Sequence, residues 1–169
     1  AYRRIRGLFR SEAVTNVEWA WSPNYASHPY DSTTYAWNDV INYYPGDAYV
    51  DWVGLSGYNW GDPWRTFAEV YDEVLRDFTC RYAKPQLLLE VGSVEGPGGL
   101  QTKANWMIDM YESLPQYPFV RGVVWFNDYA SATRGQADFR ITTSTADFGS
   151  VQPLSSRTST YRTLVSNET

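Results

Sequence analysis

Four short apolar segments, separated by stretches with helical spacing, constrain most strongly what this chain can fold into. Each segment is rich in Val, Leu or Trp and is bounded by Gly, Pro, Asn or Asp, which is typical of buried strands. They span residues 16–21, 49–57, 86–91 and 119–126. Strands that are apolar on both faces and alternate with helices predict an α/β fold with a parallel sheet.

The stretches between these segments predict helices. From about residue 64 to residue 80, and again from 101 to 114, apolar residues recur at intervals of three and four, which places them on one helical face. Tyr71 belongs to the first of these apolar faces. Asp62-Pro63 is the predicted cap of the first helix, and Pro115 ends the second. The first dozen residues have a helical spacing as well.

Two architectures share this pattern, an open doubly wound sheet and a (β/α)8 barrel. Each predicted strand leads at its C-terminal end into polar or aromatic residues, which is where a barrel places groups from several different strands. A doubly wound nucleotide-binding sheet needs a glycine-rich turn after its first strand, and the sequence has none. The sequence therefore predicts a fold of the TIM-barrel type.

The chain is short for a whole barrel. A (β/α)8 barrel takes about 250 residues and eight strands, whereas this chain has 169 residues and only four good strand segments. It also starts with a helical pattern that no strand precedes. We therefore predict a single partial domain over residues 1–169, a C-terminal half-barrel with about the last four β/α units.

The charge and composition argue against several classes of partner. With 14 Lys+Arg against 19 Asp+Glu the net charge is −5, and no basic run could follow a phosphate backbone. No apolar stretch approaches the roughly 20 residues that span a bilayer. The single cysteine, Cys80, and the single histidine, His28, cannot form an internal disulfide or a histidine-rich metal site. We therefore expect no nucleic acid, no membrane, no metal and no cofactor.

The aromatic content, 17% with 8 Trp and 14 Tyr, is unusually high. Aromatic side chains combine a large apolar face with a polar tip, so they suit cores and also sites that hold amphipathic ligands such as sugars. Trp60 and Asn24, which follow predicted strands, are candidates for contact with a sugar.

Residues 84–93 form the most informative segment, because an apolar strand there ends in one carboxylate, Glu90, before a Gly92-Ser93 turn. A carboxylate at the end of a buried strand costs solvation free energy unless partners surround it. The residues alone leave two explanations open. Glu90 is either a catalytic group that a rigid sheet aims at an anomeric carbon, or a structural residue that pairs with a loop arginine or caps the next turn.

Three further stretches carry a family resemblance. They are NVEWAWSPN at residues 16–24, YPGDAYVDWVGLSGY at residues 44–58 and VWFN at residues 124–127. Taken in order, they resemble glycoside hydrolase family 26 over nearly the whole chain. That family consists mainly of endo-β-1,4-mannanases, with some mixed-linkage glucanases and β-1,3-xylanases. The resemblance therefore implies a secreted hydrolase that cleaves β-linked polysaccharide, with β-1,4-mannan as the first expectation.

The resemblance also implies roles for three residues. Glu90, at the end of the family's strand seven, would be the nucleophile that forms a covalent glycosyl-enzyme intermediate. Tyr58, at the end of strand six, would hydrogen-bond that nucleophile and help to keep it ionised. Trp125, on strand eight, would form the floor of the subsite for the attacked sugar. Ordinary core packing is the alternative for Tyr58 and Trp125.

The sequence departs from the family at the general acid. In the family this group is a glutamate that directly follows a histidine at the end of strand four, and no His-Glu pair occurs here. His28 precedes a proline, Glu18 is predicted inside a strand, and Glu95 lies in the loop after Glu90. We therefore expect the general acid on an N-terminal half of the barrel or on a second chain. The isolated 169 residues should then show little or no glycanase activity.

Two competing hypotheses remain. The first is a non-catalytic carbohydrate-binding half-barrel, in which aromatic side chains hold sugar without cutting it. The second is a half-barrel that pairs with a copy of itself, because an open parallel sheet leaves two exposed edges. Residues 138–141 continue the family resemblance, and we predict a structural role for them.

Overall fold

A computed structural model of the chain describes residues 1–27, 35–98, 101–132 and 135–141. Within these ranges the helices are α1 (Tyr2–Ser11), α2 (Phe67–Arg81) and α3 (Lys103–Ser113). The strands are β1 (Ala20–Trp21), β2 (Trp52–Asn59), β3 (Gln86–Ser93), β4 (Val120–Trp125), β5 (Tyr129–Ala132) and β6 (Gly135–Asp138). Short 3-10 turns cover Ala36–Asn38, Val40–Tyr43, Asp47–Tyr49 and Leu114–Gln116. His28 lies outside the described residues.

The first four strands form one parallel sheet in the order β1-β2-β3-β4, and β5 pairs with β6 in a separate antiparallel hairpin. Strands that are consecutive along the chain thus lie side by side. A doubly wound sheet reverses its strand order at a switch point, and these four strands show no reversal. The predicted α/β class with a parallel sheet is confirmed, and the order is consistent with part of a TIM-barrel-like fold. The number of β/α units stays a prediction, and the hairpin was not predicted.

β1 is much shorter than the strand predicted over residues 16–21. The carboxylate of Asp51 accepts a hydrogen bond from the backbone N–H of Trp19 at 2.8 Å, and the Trp19 carbonyl accepts from the backbone N–H of Asp51. At Trp19 a carboxylate thus replaces the backbone carbonyl that would accept this hydrogen bond in a regular sheet. Strand pairing therefore begins only at Ala20. Glu18 precedes β1, so its predicted place inside a strand is wrong.

β2 and β3 both extend two residues beyond their predicted ends. β2 ends at Asn59 rather than Gly57, and β3 ends at Ser93 rather than Val91. The side-chain amide of Asn59 donates to the Ser93 hydroxyl at 2.9 Å, so a side-chain bond reinforces the pairing at its last step. The predicted turn at Gly92-Ser93 is wrong, because both residues belong to β3.

α2 begins later than predicted. Its N-cap is Thr66, whose hydroxyl accepts from the backbone N–H of Glu69 while the Glu69 carboxylate accepts from the backbone N–H of Thr66. This capping box satisfies two backbone donors that a helix start leaves unpaired. The predicted cap at Asp62-Pro63 is therefore wrong. Thr102 caps α3 through a hydrogen bond from the backbone N–H of Asn105.

The core lies between one face of the parallel sheet and the helices α2 and α3. Among its fully buried side chains are eight from β2, β3 and the two helices: Val53, Leu55, Leu88, Val91, Tyr71, Leu75, Phe78 and Met110. The opposite face of the sheet is more open, and Val124 of β4 is 53% exposed there. In the described part of the chain, no helix has both the length and the apolar character needed to cross a membrane.

Candidate active site

A β-bulge in β3 sets the direction of Glu90. Leu55 and Ser56 are adjacent on β2, yet they pair with Leu88 and Glu90, so β3 carries one extra residue, Leu89, at this point. The pairing of β3 with β4 shifts at the same place. Successive side chains of a strand point to opposite faces, so an extra residue reverses the alternation that follows it.

The burial pattern of β3 shows this reversal. Gln86 and Leu88 are buried before the bulge, and Val91 and Ser93 are buried after it. Glu90 is exposed. Without the bulge, Glu90 would share the face of Leu88 and its carboxylate would lie under the helices. The extra residue therefore turns this carboxylate toward the open face of the sheet.

Tyr58 and Glu90 meet across β2 and β3. The pairing places Ser56 opposite Glu90 and Tyr58 opposite Gly92, so both side chains emerge on the same face. The Tyr58 hydroxyl donates a hydrogen bond to Oε2 of Glu90. Burial raises the pKa of Tyr58 well above its usual range, and the hydrogen bond to Glu90 and the negative charge of that residue raise it further. Tyr58 therefore remains a proton donor to the carboxylate at neutral pH.

Three aromatic rings surround Tyr58 at the carboxyl end of the sheet. Trp60, Phe126 and Phe139 have ring centroids 5.3, 5.6 and 5.1 Å from that of Tyr58. Phe139 is fully buried, whereas Trp60 is 36% exposed. A Cβ atom on Gly92 would lie 2.8 Å from the Phe139 ring, so only glycine leaves room for that ring. The cluster holds the Tyr58 ring in place and leaves part of Trp60 open to solvent beside it.

Phe139 is a site residue that the sequence did not reveal. Residues 138–141 were predicted to be structural, and the structure places this segment directly against Tyr58. The indole N–H of Trp125 donates to the Phe139 carbonyl at 2.7 Å, and the ammonium of the buried Lys103 donates to the Arg140 carbonyl at 2.7 Å. A lone phenylalanine between charged residues has no periodicity, so the sequence carried no signal of this contact.

Trp125 lies on the side of β4 that α3 covers. It pairs with the buried Val91, and its ring meets Trp106 of α3 edge-on, with centroids 6.0 Å apart. Its indole N–H donates a hydrogen bond to the Phe139 carbonyl. Its proposed place beneath a sugar is not tested by these contacts and stays a prediction.

Asn24 lies in the same row of the sheet as Glu90. An isolated parallel bridge joins Asn24 to Ser56, and Ser56 in turn pairs with Glu90. Adjacent strands are about 4.8 Å apart, so the backbones of Asn24 and Glu90 are separated by about 10 Å. The Asn24 side chain donates to the Ala26 carbonyl at 3.0 Å. The structure thus brings Asn24 to the predicted rim, and its contact with sugar stays a prediction.

Tyr71 approaches the Tyr58–Glu90 pair from the opposite, helix-covered side. Its fully buried hydroxyl contacts the Gly57 carbonyl at 2.7 Å and the backbone carbonyl of Glu90 at 3.2 Å. Burial raises the pKa of Tyr71 well above its usual range, so the hydroxyl stays protonated. The sequence predicted Tyr71 only as part of an apolar helix face, because helical spacing does not indicate what a hydroxyl bonds.

The other carboxylates considered from the sequence are engaged elsewhere. Glu18 accepts from the indole N–H of Trp52 at 2.8 Å, at the start of β2. Trp52 is four residues before Ser56, which pairs with Glu90, so about 13 Å of strand separates the two positions. Glu95 accepts from the backbone N–H at the start of α3 at 3.4 Å.

The alternative in which Glu90 pairs with a loop arginine gains no support from the described residues. The ion pairs found there join Arg6 to Asp51, Arg76 to Asp72, Arg81 to Asp77 and Arg140 to Asp138. Nor do the ranges that the structure covers contain three His, Cys, Asp or Glu side chains grouped as a metal ion would require. What the arrangement offers is an exposed carboxylate oriented by a protonated tyrosine.

Comparison with known proteins agrees with the resemblance seen in the sequence. The model of glycosyl hydrolase family 26 matches residues 2–146. Endoglucanase H of Acetivibrio thermocellus is 31% identical over 151 residues, which cover 85% of this chain. The same alignment covers 15% of that protein, so the chain spans only a small part of the length of this relative.

Proposed function

Because the chain belongs to glycosyl hydrolase family 26, we propose that it is the nucleophile-bearing part of a retaining glycoside hydrolase that acts on β-linked polysaccharide. The observation that carries the proposal is the hydrogen bond from the Tyr58 hydroxyl to the exposed carboxylate of Glu90. Barrel enzymes place their catalytic groups at the carboxyl ends of parallel strands, and both residues lie in the last half of their strands.

The proposed reaction proceeds in two steps. Oε1 of Glu90 attacks the anomeric carbon, the glycosidic C–O bond breaks, and the leaving oxygen takes a proton from a general acid. Water then attacks the same carbon and gives a proton to the group that acted as the acid, and the Glu90 carboxylate is released. Tyr58 donates to Oε2 in both steps. Its raised pKa suits it to orient the carboxylate, and leaves the proton transfer to another group.

The general acid of this proposal comes from an N-terminal half of the barrel or from a second chain. A retaining mechanism needs two carboxyl groups roughly 5–5.5 Å apart. Glu18 is too far from Glu90, and Glu95 is engaged at the start of α3. Without a general acid the rate typically falls by about 10²–10⁴-fold, so the isolated 169 residues should hydrolyse polysaccharide poorly.

The substrate proposed from the family resemblance is β-1,4-mannan. One observation favours a second candidate, a β-glucan: the relative that aligns over 85% of this chain is named Endoglucanase H. We propose that Trp60 contacts the sugar, because part of its ring is exposed beside Tyr58. Asn24 and Trp125 are weaker candidates, since both have side-chain donors that are already engaged. We also propose action outside the cell, where such polymers are found.

Covalent trapping of Glu90 tests the proposal. A 2-deoxy-2-fluoro glycoside with a good leaving group needs no general acid to react, so a competent nucleophile is labelled even where the acid is missing. We expect the mannoside or the glucoside form to add one sugar mass to the full-length product of the reading frame. Peptide mapping should place that mass on Glu90, and Glu90→Gln should not react.

The outcomes separate the proposal from its alternative. A label on another residue, or normal labelling of Glu90→Gln, would remove Glu90 as the nucleophile. Binding of oligosaccharide without any label would favour the carbohydrate-binding half-barrel. Strong hydrolysis of mannan or β-glucan by the isolated 169 residues would show that the general acid has been misplaced.

A further inference from the structure

The hydroxyl of Tyr71 occupies an unusual position, since it contacts two backbone carbonyls on different strands. It lies 2.7 Å from the carbonyl of Gly57 on β2 and 3.2 Å from that of Glu90 on β3. A phenol has one proton to donate, so the two carbonyls share it. The side chain is fully buried, so this hydroxyl is a buried polar group of α2 that bonds the backbone of both strands.

Both carbonyls belong to the backbone that positions the candidate catalytic pair. Gly57 directly precedes Tyr58, and the second carbonyl is that of Glu90 itself. The bulge at Leu89 interrupts the ladder between β2 and β3 immediately before this point, and a bulge leaves backbone groups without their regular partners. A buried carbonyl without a hydrogen bond costs about 1–3 kcal/mol. The Tyr71 hydroxyl therefore supplies a hydrogen-bond donor to the backbone at the point where strand pairing resumes after the bulge.

The close approach of Tyr71 depends on a glycine. A Cβ atom on Gly57 would lie 2.9 Å from the Tyr71 hydroxyl oxygen and 3.0 Å from the ring carbon that carries it. Any larger residue at position 57 would push the hydroxyl away from the carbonyls. The hydrogen bonds of Tyr71 to the two carbonyls thus require glycine at position 57.

We infer that Tyr71 is a positioning residue, which holds the bulged backbone so that the carboxylate of Glu90 stays aimed at the open face and within reach of Tyr58. This inference rests on the proposed function. Tyr71 does not touch the substrate; it acts through the backbone of Glu90 and of Gly57. Misplacement of a catalytic group by about 1 Å can lower the rate by about 100-fold.

The test is a kinetic comparison of Tyr71→Phe with wild type in the full-length product of the reading frame. A soluble mixed-linkage β-glucan and a soluble β-1,4-mannan serve as substrates. We expect kcat to fall by about 10- to 100-fold while KM is unchanged, because the carboxylate is misaligned and the sugar-binding surface is not. The rate of labelling of Glu90 by the 2-deoxy-2-fluoro glycoside should fall by the same factor.

Tyr117→Phe is the matched control. Tyr117 is also buried, and its hydroxyl donates to the carboxylate of Asp72 on α2 at 2.8 Å. This variant loses a comparable hydrogen bond next to α2, and we expect it to lower the melting temperature and keep the wild-type kcat. If both variants lose the same fraction of kcat, or if Tyr71→Phe keeps the wild-type kcat, Tyr71 has no positioning role.

A second variant covers the case in which Tyr71→Phe does not fold. Gly57→Ala displaces the same hydroxyl from β2 and should lower kcat with unchanged KM; a wild-type kcat in Gly57→Ala would overturn the inference. Failure of the proposed function looks different. In that case Glu90→Gln would hydrolyse as well as wild type, whatever happens in the variants of Tyr71.

Discussion

Replacing Tyr58 by phenylalanine removes one hydrogen bond from Glu90 and little else. The phenylalanine ring keeps the contacts with Trp60, Phe126 and Phe139, whose centroids lie 5.3, 5.6 and 5.1 Å away. The lost donor served an exposed carboxylate, which water can solvate in its place. We therefore expect Tyr58→Phe to unfold at nearly the wild-type temperature, so any change in activity reports on Glu90 as the proposed nucleophile.

The size of the effect follows from what the Glu90 carboxylate does in the second step of the proposed reaction. Glu90 leaves the sugar as an anion, and the Tyr58 hydroxyl stabilises that developing charge. A hydrogen bond to a charged group contributes about 1.5–3 kcal/mol, which corresponds to about 10- to 150-fold in rate. Tyr58→Phe should therefore slow release of the sugar from Glu90 by about that factor.

Rapid-mixing kinetics with an activated aryl β-glycoside measure this step. The good leaving group keeps the first step fast. Tyr58→Phe should therefore release a burst of one equivalent of the phenol per active site, followed by slow steady-state release. Tyr117→Phe, which also loses a tyrosine hydroxyl, should behave as wild type. A steady rate within about threefold of wild type and no burst in Tyr58→Phe would refute the assignment of Tyr58 as the group that stabilises the nucleophile.

Three further predictions concern stability. Phe139→Ala should lower the free energy of unfolding by about 3–5 kcal/mol, since the fully buried ring packs on Tyr58. Phe119, which is 39% exposed, is the control. An equal loss of stability in Phe119→Ala would show that burial of the Phe139 ring does not account for the effect. Thr66→Ala should cost about 1 kcal/mol by removing the cap of α2, and Thr66→Ser should cost much less in the same urea titrations. Burial raises the pKa of Tyr117 to about 12, whereas an unfolded tyrosine ionises near pH 10. The stability that Tyr117 contributes through its neutral hydroxyl is thus present below pH 10 and lost as the pH rises toward about 12. Over that pH range the melting temperature of Tyr117→Phe should therefore fall less steeply than that of wild type.

Local patterns in the sequence were enough to predict the fold class. The 3.6-residue spacing from 64 to 80 indicates a helix with one buried face, and the apolar run at residues 86–91 indicates a buried strand. Both elements form in the structure, as α2 and β3. The boundaries were less predictable. β1 and α2 start where the side chains of Asp51 and Thr66 bond the backbone, and several residues of similar type compete for such a role in any sequence.

The candidate site divides in a similar way. Tyr58 and Glu90 were predicted as site residues from their places near strand ends and from the family resemblance. In the structure a hydrogen bond joins them. Phe139 and Tyr71, which support that pair from two sides, were not selected. Each acts through a partner far away in the sequence, Phe139 on the ring of Tyr58 and Tyr71 on the backbone of Glu90.

By itself, the sequence determined that the chain forms alternating strands and helices and that one strand carries a carboxylate near its carboxyl end, because both are properties of consecutive residues. Only the tertiary structure decided which way that carboxylate points. In a regular strand, Glu90 would share the buried face of Leu88. Pairing with two neighbouring strands leaves Leu89 as an extra residue in β3, and that shift, which depends on contacts between strands, turns Glu90 to the open face.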